Sequence, residues 1–249
     1  MITSSDDSPQ TLSGATVNEA EAGSGMNEFD PLLVDKMRRE WDSRAMENAR
    51  HYVATAKEEW TDDEYFESGR QNVRYEILTD MENVCQGKDP KRMTVLEIGC
   101  GSGRITRALS EVFGQVYAVD ISGEMIRQAT EALRDRSNAR VFRNSGADLR
   151  VLGDIQVDFA FSYIVFQHIP SREVIYSYVK EVYRLLRPGG LFKFQVQGDD
   201  SLKTAPEDTW LGVPFSDEDA AEMAQSCGFE ARHRHGAGSQ YFWLWFFKP

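Results

Sequence analysis

Between Val95 and Ile105 the chain reads Val-Leu-Glu-Ile-Gly-Cys-Gly-Ser-Gly-Arg-Ile, and no other stretch so narrows the folds open to it. An apolar run of strand type carries one acid near its end. It then breaks into glycines at alternate positions and re-emerges as the helical pattern Ile105, Ala108, Leu109, Val112. Strand, glycine turn and helix in that order make a nucleotide-type loop. Glycine lets the backbone turn sharply and approach a ligand that a Cβ would push away, while the amides opening the next helix face the ligand's negative end. A small anionic or zwitterionic cofactor is expected at this turn.

The dinucleotide fingerprint Gly-x-Gly-x-x-Gly/Ala does not fit. Counted from Gly99 its last position is Arg104, and counted from Gly101 it is Thr106. No Lys-Ser or Lys-Thr pair follows the glycines, so the phosphate-binding P-loop fails as well. What remains is Glu-x-Gly-x-Gly-x-Gly over Glu97 to Gly103. On these residues the chain resembles the class I S-adenosylmethionine (SAM)-dependent methyltransferases, whose first motif has this form. Phrases such as Glu64-Tyr65-Phe66-Glu67-Ser68-Gly69 and Phe166-Gln167-His168-Ile169-Pro170 resemble the bacterial small-molecule type, akin to methyltransferase types 11, 12 and 25.

A chain of 249 residues can bury one full α/β core with extensions. Its net charge of -12 argues against a polyanionic partner, since binding nucleic acid needs a basic face. Arg134, Arg136, Arg140 and Arg143 cluster in sequence but straddle a helix end and a loop, and read as a solvated face. The three cysteines form no Cys-x-x-Cys pair and leave an odd count, which fits a reducing compartment and gives no legible zinc site. No metal is expected. No apolar run is long enough to span a bilayer, and Tyr241 to Phe247 reads as a buried last strand, so no membrane partner and a cytoplasmic location are expected.

Residues 1–27 hold almost no large apolar side chains and no Lys or Arg, and read as a disordered tail. Residues 28–88 read as an N-terminal helical cap, or lid. Trp41, Ala45, Met46, Ala49, Tyr52 and Val53 gather on one side of a helix, and a second helix spans Glu64 to Met81. Residues 89–249 form the cofactor-binding domain. Strands are predicted at Thr94 to Ile98, Val116 to Asp120, Arg140 to Arg143, Val157 to Tyr163 and Leu191 to Val196, with helices near 104–113, 123–135 and 172–187 between them. Such alternation makes a doubly wound, Rossmann-like α/β sheet with right-handed crossovers. Ser216 to Asp219 opens another helix, and strands near Phe229 to His233 and Gln240 to Phe247 close the chain. The resemblance implies seven strands in the order 3-2-1-4-5-7-6, the last antiparallel.

Asp120 ends the second strand. Ligands lie off the carboxyl ends of such strands, where an acid accepts from both ribose hydroxyls. The alternative, a helix cap, is already supplied by Ser122. In the resembled family, Glu97 braces the loop and the amino group of the methionine moiety, and a purely structural carboxylate is the competing reading. The resemblance also places Asp148 on the adenine amino group and Ala147 in a backbone contact. It extends the cofactor set to Gly99, Cys100, Gly101, Gly103, Ile121, Met125, Leu149 and Ser162. Arg104 either meets the methionine carboxylate or is simply exposed.

Val157 to Pro170 looks like the family's fourth motif, which lines the methyl-transfer site, and Leu186 to Leu191 matches the turn before the fifth strand. Methyl transfer from a sulfonium is an in-line displacement that needs alignment and a dry pocket. A base is needed only for a protonated acceptor. His168 is the candidate, with an imidazole pKa near neutrality, against a bland reading as a ring bonded to a loop carbonyl. Tyr163, Gln195 and Gln197 are candidates to hold a polar substrate. His233 and His235 are expected on a solvent-facing edge strand. Tyr52, Trp60, Tyr65 and Phe66 of the cap either cover the cofactor or form the cap's own core.

The resulting expectation is a SAM-dependent methyltransferase that moves a methyl group to an oxygen or nitrogen of a small-molecule acceptor, leaving S-adenosylhomocysteine. A catalytically silent SAM-binding regulatory subunit is the alternative. A nicotinamide-dependent oxidoreductase is disfavoured by the glycine spacing. Protein or nucleic-acid methylation is disfavoured by the acidic charge, by the covered site and by the absence of an Asn-Pro-Pro-Tyr or Asp-Pro-Pro-Tyr motif after the fourth strand.

Overall fold

The structure is a computed structural model that describes Met1 and residues 29–201 and 208–249. The tail expected over residues 1–27 lies, Met1 apart, outside the described residues.

Alternation of apolar strands and amphipathic helices produces β1 (Thr94–Ile98), α4 (Arg104–Val112), β2 (Gln115–Asp120), α5 (Gly123–Ala132), β3 (Ala139–Arg143), β4 (Val157–Ser162), α6 (Arg172–Leu185) and β5 (Leu186–Val196). Then follow α7 (Asp217–Ser226), β6 (Glu230–His235) and β7 (Phe242–Phe247). One seven-stranded sheet runs β3-β2-β1-β4-β5-β7-β6, as expected, with β7 antiparallel to both its neighbours. The apolar segment Phe242–Phe247 is buried because it fills the slot between β5 and the edge strand β6. His233 and His235 lie exposed on that edge.

Period-two alternation sends successive side chains to opposite faces of the sheet. Leu96, Ile98, Val119, Ala160, Phe192 and Phe194 pack with α6 residues Val174, Ile175, Tyr178, Val179 and Val182 on one face. Val95, Val116, Phe159, Phe161 and Trp243 pack with α4 residues Ile105, Ala108 and Leu109 on the other. Both faces are therefore covered, and only the ends of the strands are open to a ligand.

Among the described residues three α-helices precede β1: α1 (Pro31–Val53), α2 (Asp62–Glu76) and α3 (Met81–Cys85). Asp30 caps α1 by accepting from the Leu32 amide, with Pro31 at the first helical position. Thr61 and Glu64 form a reciprocal capping box on α2. The single helix expected from Glu64 to Met81 is instead interrupted after Glu76. A 3-10 turn at Leu78–Asp80 brings Asp80 to the Lys193 ammonium at 2.9 Å and to the Trp245 indole at 2.6 Å. Residues Leu186 to Leu191 also differ from expectation. They lie within β5, and the register slips between the pairs Val157↔Leu186 and Phe159↔Leu191. The glycine-rich turn is thus a bulge inside the strand.

Candidate active site

Asp120, the glycine loop and the segment after β4 come together because β2, β1 and β4 are neighbours whose carboxyl ends point the same way. They line one cavity, closed from above by Met37, Trp41, Tyr52 and Val53 of α1. It encloses about 100 Å³ and opens to solvent at its mouth.

The loop is built on glycines in the left-handed region, with φ of 74° at Gly99 and 52° at Gly101. A Cβ on Gly99 would stand 2.2 Å from Val165 Cγ2, and one on Gly101 would stand 2.6 Å from Val53 Cγ2. The close approach that the sequence reading reserved for a ligand is therefore made, on those faces, by the chain's own valines. Four of the loop amides are also committed internally. Gly99 and Cys100 donate to the Val119 carbonyl at 2.8 and 3.0 Å, and Gly103 donates to Cys100 at 3.0 Å. Gly101 donates to Asp120 Oδ2 at 2.9 Å. The amides of Ser102, Arg104, Ile105 and Thr106, which bond to nothing among the described residues, and the side chains around the loop are left to meet a ligand's amino-acid end.

Asp120 accepts a second amide, from Ser122, on Oδ1 at 2.9 Å, and burial pushes its carboxyl up to about 6. Ser122 caps α5 through the Met125 amide, as expected, which leaves Asp120 free of that task. Ionised carboxylate oxygens keep further lone pairs beyond these two bonds, enough for a diol. Glu97 is fully buried and accepts from Thr106 Oγ1 at 2.6 Å; burial pushes it up to about 8. Ile121 and Met125 line the cavity, as do Glu97, Gly99, Cys100, Gly101, Tyr163 and His168.

Other predicted residues lie elsewhere. Gly103 faces α5, where a Cβ would meet Ala129 at 3.3 Å. Ser162 is buried and ties β4 to β1 by donating to the Ile98 carbonyl at 2.9 Å. Ala147, Asp148 and Leu149 do not line the cavity. Ser145 Oγ accepts from the amides of Ala147 and Asp148 at 3.2 and 3.0 Å, curling the loop so that Asp148 accepts from the Arg150 amide instead. Asn144 occupies the position sought for Asp148. It lines the cavity beside Tyr178, donates to the Tyr178 hydroxyl at 2.6 Å and to the Asp148 carbonyl at 3.2 Å, and leaves its buried Oδ1 without a partner among the described residues. A buried acceptor left unpaired is uncommon, and an adenine amino group supplies the donor it lacks. A diol acceptor, an amino-group acceptor and an open crevice between them fit an adenosine.

The segment after β4 carries strain. Ile164 has φ of 56°, which a β-branched residue rarely adopts, and its amide donates to Gln195 Oε1 at 3.0 Å. Gln195 is thereby spent on holding this loop, and Gln197 accepts from the Asp199 amide at 3.0 Å; neither lines the cavity. Tyr163 receives a hydrogen bond from Asn72 Nδ2 at 3.1 Å, and burial raises its phenol above the usual range. His168 Nδ1 faces the Trp210 carbonyl, which can only accept, so Nδ1 carries the proton and Nε2 the lone pair. Burial drives His168 down to about 4, away from the near-neutral value expected of a base. Trp41 meets its ring edge-on at 5.5 Å between centroids.

Of the cap aromatics, Tyr52 lines the cavity, whereas Tyr65 is buried with its hydroxyl on Ser102 Oγ at 2.6 Å and Trp60 against its ring. Met37, Trp41, Asn144 and Tyr178 were not anticipated. The phase of Trp41 on its helix was readable, but not which strands that helix would cross. Among the described residues no group of three or more His, Cys, Asp or Glu is placed to hold a metal, and no helix is long and apolar enough to cross a membrane.

Residues 96–194 match the methyltransferase domain family. The chain is 34% identical over 99 residues to phosphoethanolamine N-methyltransferase 2 of Caenorhabditis elegans, a match covering 39% of this chain and 22% of that protein. It is 28% identical over 165 residues to the tRNA N(3)-methylcytidine methyltransferase trm141 of Schizosaccharomyces pombe, covering 57% of this chain and 66% of that protein. Each match thus spans less than two thirds of the relative's length. Among solved structures, the DhpI complex with S-adenosylhomocysteine superposes with a TM-score of 0.60 at 20% identity, covering 89% of this chain and all of that one. In its motif and sheet order, and over residues 96–194 in sequence, the chain is thus similar to the class I SAM-dependent methyltransferases and shares their fold.

Proposed function

We propose that the chain binds SAM in this cavity and transfers its methyl group to an oxygen or nitrogen of a small-molecule acceptor. The observation that carries this reading is the single cavity lined at once by the glycine loop, by Asp120 and by Tyr163 and His168, under the aromatic cover of α1. The cofactor, when bound, supplies an electrophilic methyl group on a sulfonium. Asp120 and Asn144 hold the nucleoside. Trp41, Tyr52, Ile164 and Val165 keep water from the reacting centre and orient the acceptor. His168, neutral at physiological pH, offers Nε2 as a hydrogen-bond acceptor, and the Tyr163 phenol offers a donor. In these roles they position the acceptor, and His168 is too weak a base to hold its proton at neutral pH. A net charge of -12 and a covered site support a small molecule over a nucleic acid.

Calorimetric titration tests the reading. S-adenosylhomocysteine is expected to bind and reduced nicotinamide dinucleotide is not. A hydrogen bond to a charged group contributes about 1.5–3 kcal/mol, so Asp120→Ala is expected to weaken binding about 10- to 100-fold. Undiminished affinity in that variant would remove the ribose assignment. An acceptor that gains the mass of one methyl group on incubation with SAM excludes the silent-subunit alternative. Methylation of bulk tRNA in place of small molecules would overturn the acceptor class.

A further inference from the structure

Arg104 is 4% exposed and lies against α2, donating from Nη1 to Ser68 Oγ at 3.2 Å and to Asn72 Oδ1. A guanidinium can only donate, so it fixes which way the Asn72 amide faces, with Oδ1 toward Arg104 and Nδ2 turned to Tyr163. Asn72 Nδ2 accordingly donates to the Tyr163 oxygen at 3.1 Å. That bond leaves the phenol proton to point elsewhere, and it meets no acceptor among the described residues. Tyr163 lines the cavity, its ring packed beside Phe161 and Trp243 at 6.4 and 5.9 Å between centroids. A chain of donors thus runs from a buried cation to an O–H at the cavity, each bond polarising the next.

We propose that this O–H holds one oxygen of an acceptor carboxylate, and that the product is a methyl ester. The inference rests on the SAM reading above. A hydroxyl or ammonium acceptor must give up a proton, and the groups lining the cavity are poorly suited to take it. Glu97 accepts from Thr106 and is largely protonated at neutral pH, and the buried Cys100 thiol is raised well above its usual range. Asp120 is held by two amides at the end of β2, with β1 between it and β4, and His168 is too weak a base. Glu76, whose charge reaches Tyr163, does not line the cavity and is offset by the Lys193 ammonium. An unprotonated nitrogen needs no base, but a donor beside it occupies the lone pair that must attack. A carboxylate arrives ionised, and its several lone pairs serve both tasks. One oxygen rests on Tyr163 while a lone pair of the other attacks the methyl carbon; the C–O bond forms as the C–S bond breaks, and that electron pair stays on sulfur. The acceptor's negative charge and the sulfonium's positive charge cancel, and no proton moves. Asn72 acts through Tyr163 as a positioning residue, which gives the cap helix α2 a part in acceptor choice.

The test incubates the full chain and SAM carrying a tritiated methyl group with an equimolar mixture of benzoate, cinnamate, succinate, octanoate, phenol, benzyl alcohol and benzylamine. Label is expected to be released as methanol by mild base, as from an ester; label only in base-stable products, or in none, overturns the proposal. For the acid so found, calorimetry at saturating S-adenosylhomocysteine reads binding without turnover. Tyr163→Phe is expected to weaken the acid about 10- to 100-fold and Asn72→Leu about 3- to 10-fold, while S-adenosylhomocysteine binds both variants within about threefold of the parent. Equal losses for the acid and S-adenosylhomocysteine would make the pair structural, and undiminished affinity for the acid in Tyr163→Phe would remove the donor; either overturns the proposal. Should Asn72→Leu not fold, Asn72→Asp, which still accepts from Arg104 but cannot donate to Tyr163, is read in the same way. A parent protein that does not bind S-adenosylhomocysteine refutes the SAM reading itself.

Discussion

Glu97 and His168 sit in one cavity and respond to pH in opposite senses. Burial lifts Glu97 from 4.5 to about 8, so its carboxyl holds a proton in the folded chain that it loses on unfolding. The stability this contributes is complete below the ordinary value and is lost as pH rises through 8. In the unliganded protein the melting temperature is therefore expected to fall between pH 6 and 9 more steeply than in Glu97→Gln, whose neutral amide still accepts from Thr106. Identical slopes in thermal melts would show that Glu97 is already ionised. His168 is depressed from 6.5 to about 4, so its contribution is present above 6.5 and is lost as pH falls through 4. Methyl transfer is accordingly expected to show no His168 inflection between pH 6 and 8. A pH–rate profile in which His168→Gln removes an inflection near pH 6.5 would restore it as a near-neutral base.

The helices of the cap are fastened to the sheet by a few polar contacts that local sequence does not announce. Lys193, 3% exposed on β5, donates to the Glu76 carbonyl and to Asp80 Oδ2 at 2.9 Å, and lies 4.6 Å from the centroid of Trp245. Lys193→Met is expected to cost about 3 kcal/mol in chemical denaturation, the low end for breaking a buried pair. Trp245 and Asn83 still donate to Asp80 and soften the loss. A cost below about 0.5 kcal/mol would place this pair among solvated surface pairs. Strands, crossovers and the place of Asp120 at the cavity were legible because each depends on residues a few positions apart. Asp120, Ile121, Met125 and the glycines reach the cavity for that reason. Asp148 does not, since Ser145 curls its loop, and the end of α2 could not be read because it is set by a lysine more than a hundred positions away. Likewise α1 breaks at Asn48, where φ is -161° and the side chain accepts from the His51 amide, so its last turn lays Tyr52 and Val53 over the loop.

Taken whole, the molecule is a two-faced sheet whose open edge is roofed by a helix carrying Met37, Trp41, Tyr52 and Val53. The segment from Asp208 to Gly212 closes against that roof. Thr209 bonds to Glu40 and Arg44, and the Trp210 carbonyl faces His168. Chemistry at the strand ends is thus shielded by elements from three distant parts of the chain, which suits an acceptor small enough to be enclosed. A crystal structure with S-adenosylhomocysteine at saturating concentration addresses this arrangement most directly. The ribose hydroxyls are expected on the Asp120 carboxylate and the adenine amino group at Asn144 Oδ1. A cavity still filled by Val53 and Val165 with no ligand, or a ligand seated away from Asp120, would contradict it.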